Sequence, residues 1–200
     1  MHQTIRSSTL TVKTAPTLRP VLTSEARSWS KVPTSNDDTS IDLLIDNCVG
    51  RLEAYLDRKI MSQTLEWFFD GDPYGGSIDL PVGADVASIT SVKYWDTADA
   101  QQTYDASNYT LDSDSLPNRI LLNDTKVWPT QVRFKKSYVI EFVAGSATVA
   151  DVDNRIRVAI LKMVASQVDE GRISTVLKDN NLFETAMAEV FDLKSHWHFS

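Results

Sequence analysis

The apolar positions along the chain change period twice. Between residues 38 and 59 they recur at helical spacing, with Ile41, Leu44, Ile45, Cys48, Leu52, Tyr55 and Leu56 on one stripe, which predicts an amphipathic helix. Asp37 and Asp38 stand where an N-cap and first-turn negative charge are favoured. Gly50 weakens that helix by about 1 kcal/mol relative to Ala, unless another helix needs the close approach it permits. From Gln63 to Ala144 the period falls to two, and 64–69, 77–80, 88–95, 102–104, 109–112, 119–122 and 132–143 are predicted strands. Turn clusters such as Asp70-Gly71-Asp72-Pro73 and Pro81-Val82-Gly83 separate them. Short strands with close-set turns point to an antiparallel sheet or small barrel. Helical spacing returns at 151–170, where Ile156, Ala159, Ile160, Met163, Val164 and Val168 share a face and Gly171 is a natural stop. A last helix over about 182–193 carries Phe183, Met187, Val190 and Phe191 on one stripe.

Ahead of these elements, residues 1–21 are rich in Ser, Thr and Pro without helical periodicity and read as an extended arm punctuated by Pro16 and Pro20. Drawn out, it would reach about 65 Å. A short helix over 22–32 follows, with Thr23 as N-cap, Glu25 in its first turn and Pro33 closing it. The expected fold class is α+β: long helices forming a helical bundle, an antiparallel β-rich insertion over 63–144 between them, an extended N-terminal arm and a C-terminal helix and tail. The corresponding domains are an arm at 1–21, a main domain at 22–171 with helices at 22–32, 38–59 and 151–170, and a terminal helix and tail at 172–200.

Composition adds limits rather than a job. Of 200 residues, 42% are hydrophobic and 24% charged, an ordinary globular balance that excludes fibrous repeats and wholesale disorder. No stretch approaches the roughly 18 apolar residues of a membrane span, and the N-terminus lacks a continuous apolar signal region. A protein made in the cytoplasm, without a membrane partner, is expected. The single Cys48 excludes an intramolecular disulfide and a thiolate metal cluster, and its place in the helical stripe marks a packed thiol. Charge is divided unevenly. Residues 1–35 carry Arg6, Lys13, Arg19, Arg27 and Lys31 against Glu25, a net of +4, whereas 36–200 carry −11. So acidic a body argues against nucleic-acid binding through a basic groove. The basic leader either meets an acidic protein surface or is simply solvated.

Catalytic patterns are missing from the sequence. His2, His196 and His198 all lie near the chain ends, where rigid positioning is hardest. His196-x-His198 has no evident third metal ligand. Asp70-Gly71-Asp72 begins like a calcium loop but lacks the spaced acids and closing Glu, so it reads as a turn. Tyr74-Gly75-Gly76 lacks the Lys and following helix of a phosphate cradle, and no GxSxG, HExxH, Walker A or GxGxxG pattern occurs. No enzyme activity, cofactor or metal is expected. Five tryptophans remain. Trp67 and Trp95 sit on predicted strands and suit a core, while Trp29, Trp128 and Trp197 lie near turns or ends, where tryptophan often anchors a partner.

The motif order resembles the head–tail connector (adaptor, or head-completion) proteins of tailed bacteriophages, the larger type with a β insertion. The resemblance rests on Thr14-Ala15-Pro16, Arg19-Pro20-Val21 and Ser24-Glu25-Ala26, then on Asp37-Asp38-x-x-Ile41-x-x-Leu44-Ile45, Glu53-x-Tyr55-Leu56-x-Arg58 and Gln63-Thr64-x-x-Trp67. Leu80-Pro81, Ile89-Thr90-Ser91-Val92-x-Tyr94, Gln102-Thr103-Tyr104-Asp105 and Val139-Ile140-x-Phe142-x-Ala144-Gly145 continue it to about residue 168. The family usually has Pro where Asp153 or Asn154 stands, and often Gly where Ala100 stands. The resemblance implies a structural virion protein at the head–tail interface. About twelve copies would form a closed ring beneath the portal, extending the DNA channel and offering a docking platform for the tail or stopper. Its implied partners are its own copies, the portal protein, a tail, stopper or tail-terminator protein, and passing double-stranded DNA that it does not bind specifically. Phe183, Met187, Val190, Phe191, Trp197 and Phe199 are candidates for the portal contact, and Arg6, Lys13 and Arg19 for a portal or neighbour contact. The other reading of Phe183, Met187 and Phe191 is packing on the subunit's own core. A tail or baseplate module with a ligand- or receptor-recognising β region is the alternative function.

Overall fold

Asp57 closes the strongest sequence-predicted helix by taking the left-handed conformation (φ 53°), and Ile60 and Met61 then carry the chain out toward the β region. The computed structural model describes residues 7–33, 35–71, 73, 75–172, 186, 188, 190 and 191, with the side chains of α3 described through residue 168. The described chain is mixed α and β, and it divides into a helical unit (17–61 and the described residues from 146 onward) and a β unit (7–16 and 62–145).

The helical unit holds α1 (Thr23–Trp29), α2 (Asp38–Leu56) and α3 (Asn154–Arg172). Ile41, Ile45, Cys48, Leu52 and Leu56 of α2 are buried at helical spacing against Ile156, Ala159, Ile160, Met163 and Val164 of α3, with Val21 and Ala26 completing the core. Ala186 and Val190 belong to the same core. Thr23 is not the cap expected from sequence. It is the first helical residue, its hydroxyl donates to Asp42, and Glu25 accepts the Leu22 N–H at 2.8 Å, which satisfies an otherwise orphaned donor. α3 runs through Gly171 to Arg172, so that glycine does not stop it. Arg157 ties α3 to the α1 region, donating to the Pro20 carbonyl (3.1 Å) and to Glu25 (2.8 Å).

The β unit contains β1 (Ser8–Thr14), β2 (Gln63–Phe69), β3 (Ser77–Asp79), β4 (Val86–Trp95), β5 (Gln101–Tyr104), β6 (Tyr109–Asp112), β7 (Arg119–Leu122) and β8 (Tyr138–Ala144). One antiparallel sheet has the order β1-β2-β8-β4-β5, the other β3-β7-β6. Alternation along β2 buries Gln63, Leu65, Trp67 and Phe69 and leaves Thr64, Glu66 and Phe68 half-buried. Cross-strand register then lines Leu65 with Phe142 and Trp67 with Ile140 and Val92 on the inner face. Ile78 and Ile120 of the smaller sheet and Trp128 pack into this core, and Phe69 stacks on Tyr138 with ring centroids 5.2 Å apart.

Three expectations change here. Part of the anticipated arm, Ser8–Thr14, is an edge strand of the larger sheet, with Leu10 opposite Trp67 and Val12 opposite Leu65. The predicted strand over 132–143 begins only at Tyr138, because Lys136 adopts a left-handed conformation (φ 47°) that a strand cannot accommodate. Trp128 is core rather than surface, 4% exposed and 5.4 Å from Tyr104 between ring centroids.

Candidate assembly surfaces

Of the interface residues read from sequence, Arg6, Phe183, Met187, Trp197 and Phe199 lie outside the described residues. Lys13 lies on β1 in the β unit and Arg19 precedes α1 in the helical unit, so the basic leader is divided between two units. Both cations have acidic partners within the chain. The Lys13 ammonium meets Glu141 at 2.7 Å and Glu66 at 3.0 Å, and these hydrogen bonds, Glu141 foremost, raise its pKa above the ordinary lysine value. Arg19 meets Asp46 at 2.7 Å and Asp42 at 3.1 Å, and its hydrogen bond holds the Asp46 carboxyl below the usual range. Val190 is fully buried in the helical core, where it packs on its own subunit; Phe191 beside it is 63% exposed.

Trp29, read from sequence as a partner anchor, is 48% exposed, whereas Leu22, Leu43 and the exposed groups of the β unit were not read from sequence. Leu22 and Trp29, seven residues apart, sit on one side of α1, and Leu43 is 67% exposed on α2. On the β unit, an open groove of about 780 Å³ is lined by Phe68, Asp70, Arg133, Phe134, Lys135 and Lys136, with the start of β1 at its rim. Arg133 lies 4.1 Å above the Trp95 ring and donates to Asp99 at 2.7 Å, while Lys136 lies 5.5 Å from the Phe68 ring. Asp70 accepts the Lys136 N–H, and Gly71 (φ 101°) donates to the Ser137 hydroxyl at 3.1 Å. The Asp70-Gly71 segment is thus a turn that shapes the groove. Phe134 is 71% exposed and Lys135 is exposed beside it. The sequence signal was the run Arg133-Phe134-Lys135-Lys136 in an acidic body, which strand-like alternation had absorbed.

The hairpin joining β6 to β7 is built from its own hydrogen bonds. Asp112 accepts from the N–H groups of Asp114 and Ser115 (3.2 Å each), the Ser115 hydroxyl (2.7 Å) and Arg119 Nε (2.8 Å), which holds its carboxyl down at about 2. Asn118, 1% exposed, donates to the carbonyls of Ser113 and Ser115 and accepts the Val86 N–H at 2.9 Å. Asp114 and Leu116 project from this braced loop, Leu116 at 62% exposure.

The described residues contain no group of three His, Cys, Asp or Glu side chains placed to hold a metal. Cys48 is buried in the helical core, where desolvation pushes its thiol up to about 11 although Gln167 donates to its sulfur. A thiol held protonated is a poor nucleophile at neutral pH. No helix among the described residues is long and apolar enough to cross a membrane.

No protein-family model matches the chain, and no curated protein does either. Solved structures do. A chain in the neck of an empty gene transfer agent (GTA) particle, computed with C6 symmetry, matches at a TM-score of 0.78 and 15% identity over 96% of this chain and 98% of that one. A chain in the virion of the native GTA particle matches at 0.75 and 18% over 96% and 97%. A chain in the native GTA neck computed with C12 symmetry matches at 0.74 and 18% over 96% and 98%. The fold of this protein is therefore that of chains found in GTA particles, over 96% of its length.

Proposed function

We propose that this chain is a structural subunit of the neck of a tailed, phage-like particle: a head–tail adaptor that closes into a ring of about twelve copies beneath the portal. In this reading it extends the DNA channel, offers a docking platform for the tail or stopper, and carries out no chemical step. One observation carries the proposal. The likeness to neck chains takes in nearly the whole of both chains, the helical unit and the β unit together. Those necks were computed with C6 and C12 symmetry, which supports a closed cyclic assembly here.

The surface chemistry supports the same reading. Exposed apolar anchors occur on both units (Trp29 and Leu43 on one, Phe134 and Leu116 on the other), as a subunit with several neighbours needs. A net charge of −7 per chain sums to about −84 over twelve copies, a field that lets DNA slide without sticking. Electron microscopy of tailed particles tests the proposal: density for this chain between portal and tail, as a closed ring, is the expected result. Density only at the distal tail would favour the binding-module reading, and a chain absent from the particle would sink both.

A further inference from the structure

We propose that the β6–β7 hairpin of one copy docks into the basic, aromatic groove of the next, so that head-to-tail contacts between β units join the ring. This rests on the ring reading above and names its contact. Hairpin and groove stand at opposite ends of the larger sheet. The groove lies where Tyr138 of β8 faces Phe69, and the hairpin is anchored through Asn118 to Val86, which faces Ala144 at the other end of β8. Seven residues of strand separate the two ends by about 20 Å, so a copy cannot fill its own groove.

The two surfaces are complementary. The hairpin presents an apolar tip, Leu116, flanked by Asp114. The groove presents Phe68 and Phe134 as apolar walls, with Lys135 exposed and Arg133 and Lys136 beside it. The groove is open and about 780 Å³ in volume, a size that suits a hairpin tip rather than one side chain. Both surfaces are preorganised: four hydrogen bonds to Asp112 and three through Asn118 brace the hairpin, and the Arg133–Asp99 pair and the Lys136–Asp70 bond brace the groove. Little order has to be gained on docking. A contact between different patches on the two copies is heterologous and propagates until rotation closes it, which is what a ring requires.

The test uses the full chain, assembled with its portal protein, and reads mass and cross-links. Asp114→Lys and Lys135→Asp should each raise the concentration for half-assembly tenfold or more, and the two together should restore it. Unchanged melting of the isolated chain shows that each variant still folds. A Leu116→Cys/Phe134→Cys double variant under mild oxidation should give a ladder of covalent oligomers, while an equimolar mixture of the two single variants stops at the dimer. Native Cys48, buried with its thiol held protonated, does not compete. Rings that form normally in the charge reversals and give no ladder would overturn this contact and leave the ring reading standing. A ladder that ends at a doubly bonded dimer would overturn the head-to-tail arrangement. A wild-type chain that stays monomeric beside its portal would overturn the ring reading and this contact with it.

Discussion

Gly50 lies on the exposed side of α2, and a β-carbon built there would meet no atom within 4 Å. The close approach that would justify a glycine in mid-helix is therefore not made within the described chain, and its backbone entropy is an uncompensated cost. Gly50→Ala should raise stability by about 1 kcal/mol, read as a higher urea midpoint at unchanged slope; a lower midpoint would contradict this account of α2. Asp112 makes a second prediction. Its carboxyl, held at about 2 by the Ser115 hydroxyl and then Arg119, is depressed from an ordinary 3.8. A depressed acid contributes stability that is present above the unfolded value and lost as pH falls through the folded one. The stability difference between the wild type and Asp112→Asn should thus hold above pH 4 and shrink between pH 4 and 2. A difference that does not vary across that window would mean the hairpin carboxylate is not held as described.

At the scale of elements, β1 shows how an edge strand is secured. Its Leu10 and Val12 continue the inner-face rows of Trp67 and Leu65, while on the other face Lys13 spans Glu66 of β2 and Glu141 of β8, two acids directly opposite each other. Without the ammonium those like charges would face each other unrelieved. A cation whose pKa is raised by folding gives stability that is full below its unfolded value and lost as pH climbs through the folded one. Lys13→Met should therefore be less stable than the wild type at neutral pH, and the gap should close only above pH 10.5; a gap unchanged at high pH would place the effect in packing instead. Such cross-strand logic is only partly legible in sequence. Period-two alternation located β2, β6 and β7 to within a residue, and the stripe from Ile41 to Leu56 located α2. It failed where context decides. Leu10 and Val12 alternate as a strand should, but their partner lies some 55 residues away and the Ser/Thr-rich setting before Pro16 read as an arm. The groove was invisible for the same reason: Phe68 and residues 133–136 meet only because β2 and β8 pair.

For the whole molecule the question is whether the basic run at 133–136 serves DNA or protein. Three cations within four residues, at 133–136, would suit a phosphate backbone if they stood alone. They do not. Arg133 is occupied by Asp99 and the Trp95 face, Lys136 leans on Phe68, and the chain around them is acidic enough to carry a net −7. A phosphate contact there would bring DNA toward a surface whose field repels it, with a Debye length of about 8 Å at physiological salt limiting how far either effect reaches. A short acidic hairpin delivers its carboxylate to Lys135 without that penalty. The wild-type chain should accordingly fail to retard double-stranded DNA at 0.15 M salt, and Lys135→Asp should leave that result unchanged while weakening assembly. Retardation by the wild type that disappears in Lys135→Asp would turn the assignment round, making the groove a contact with the passing genome and leaving the subunit contact to the exposed apolar residues of α1 and α2.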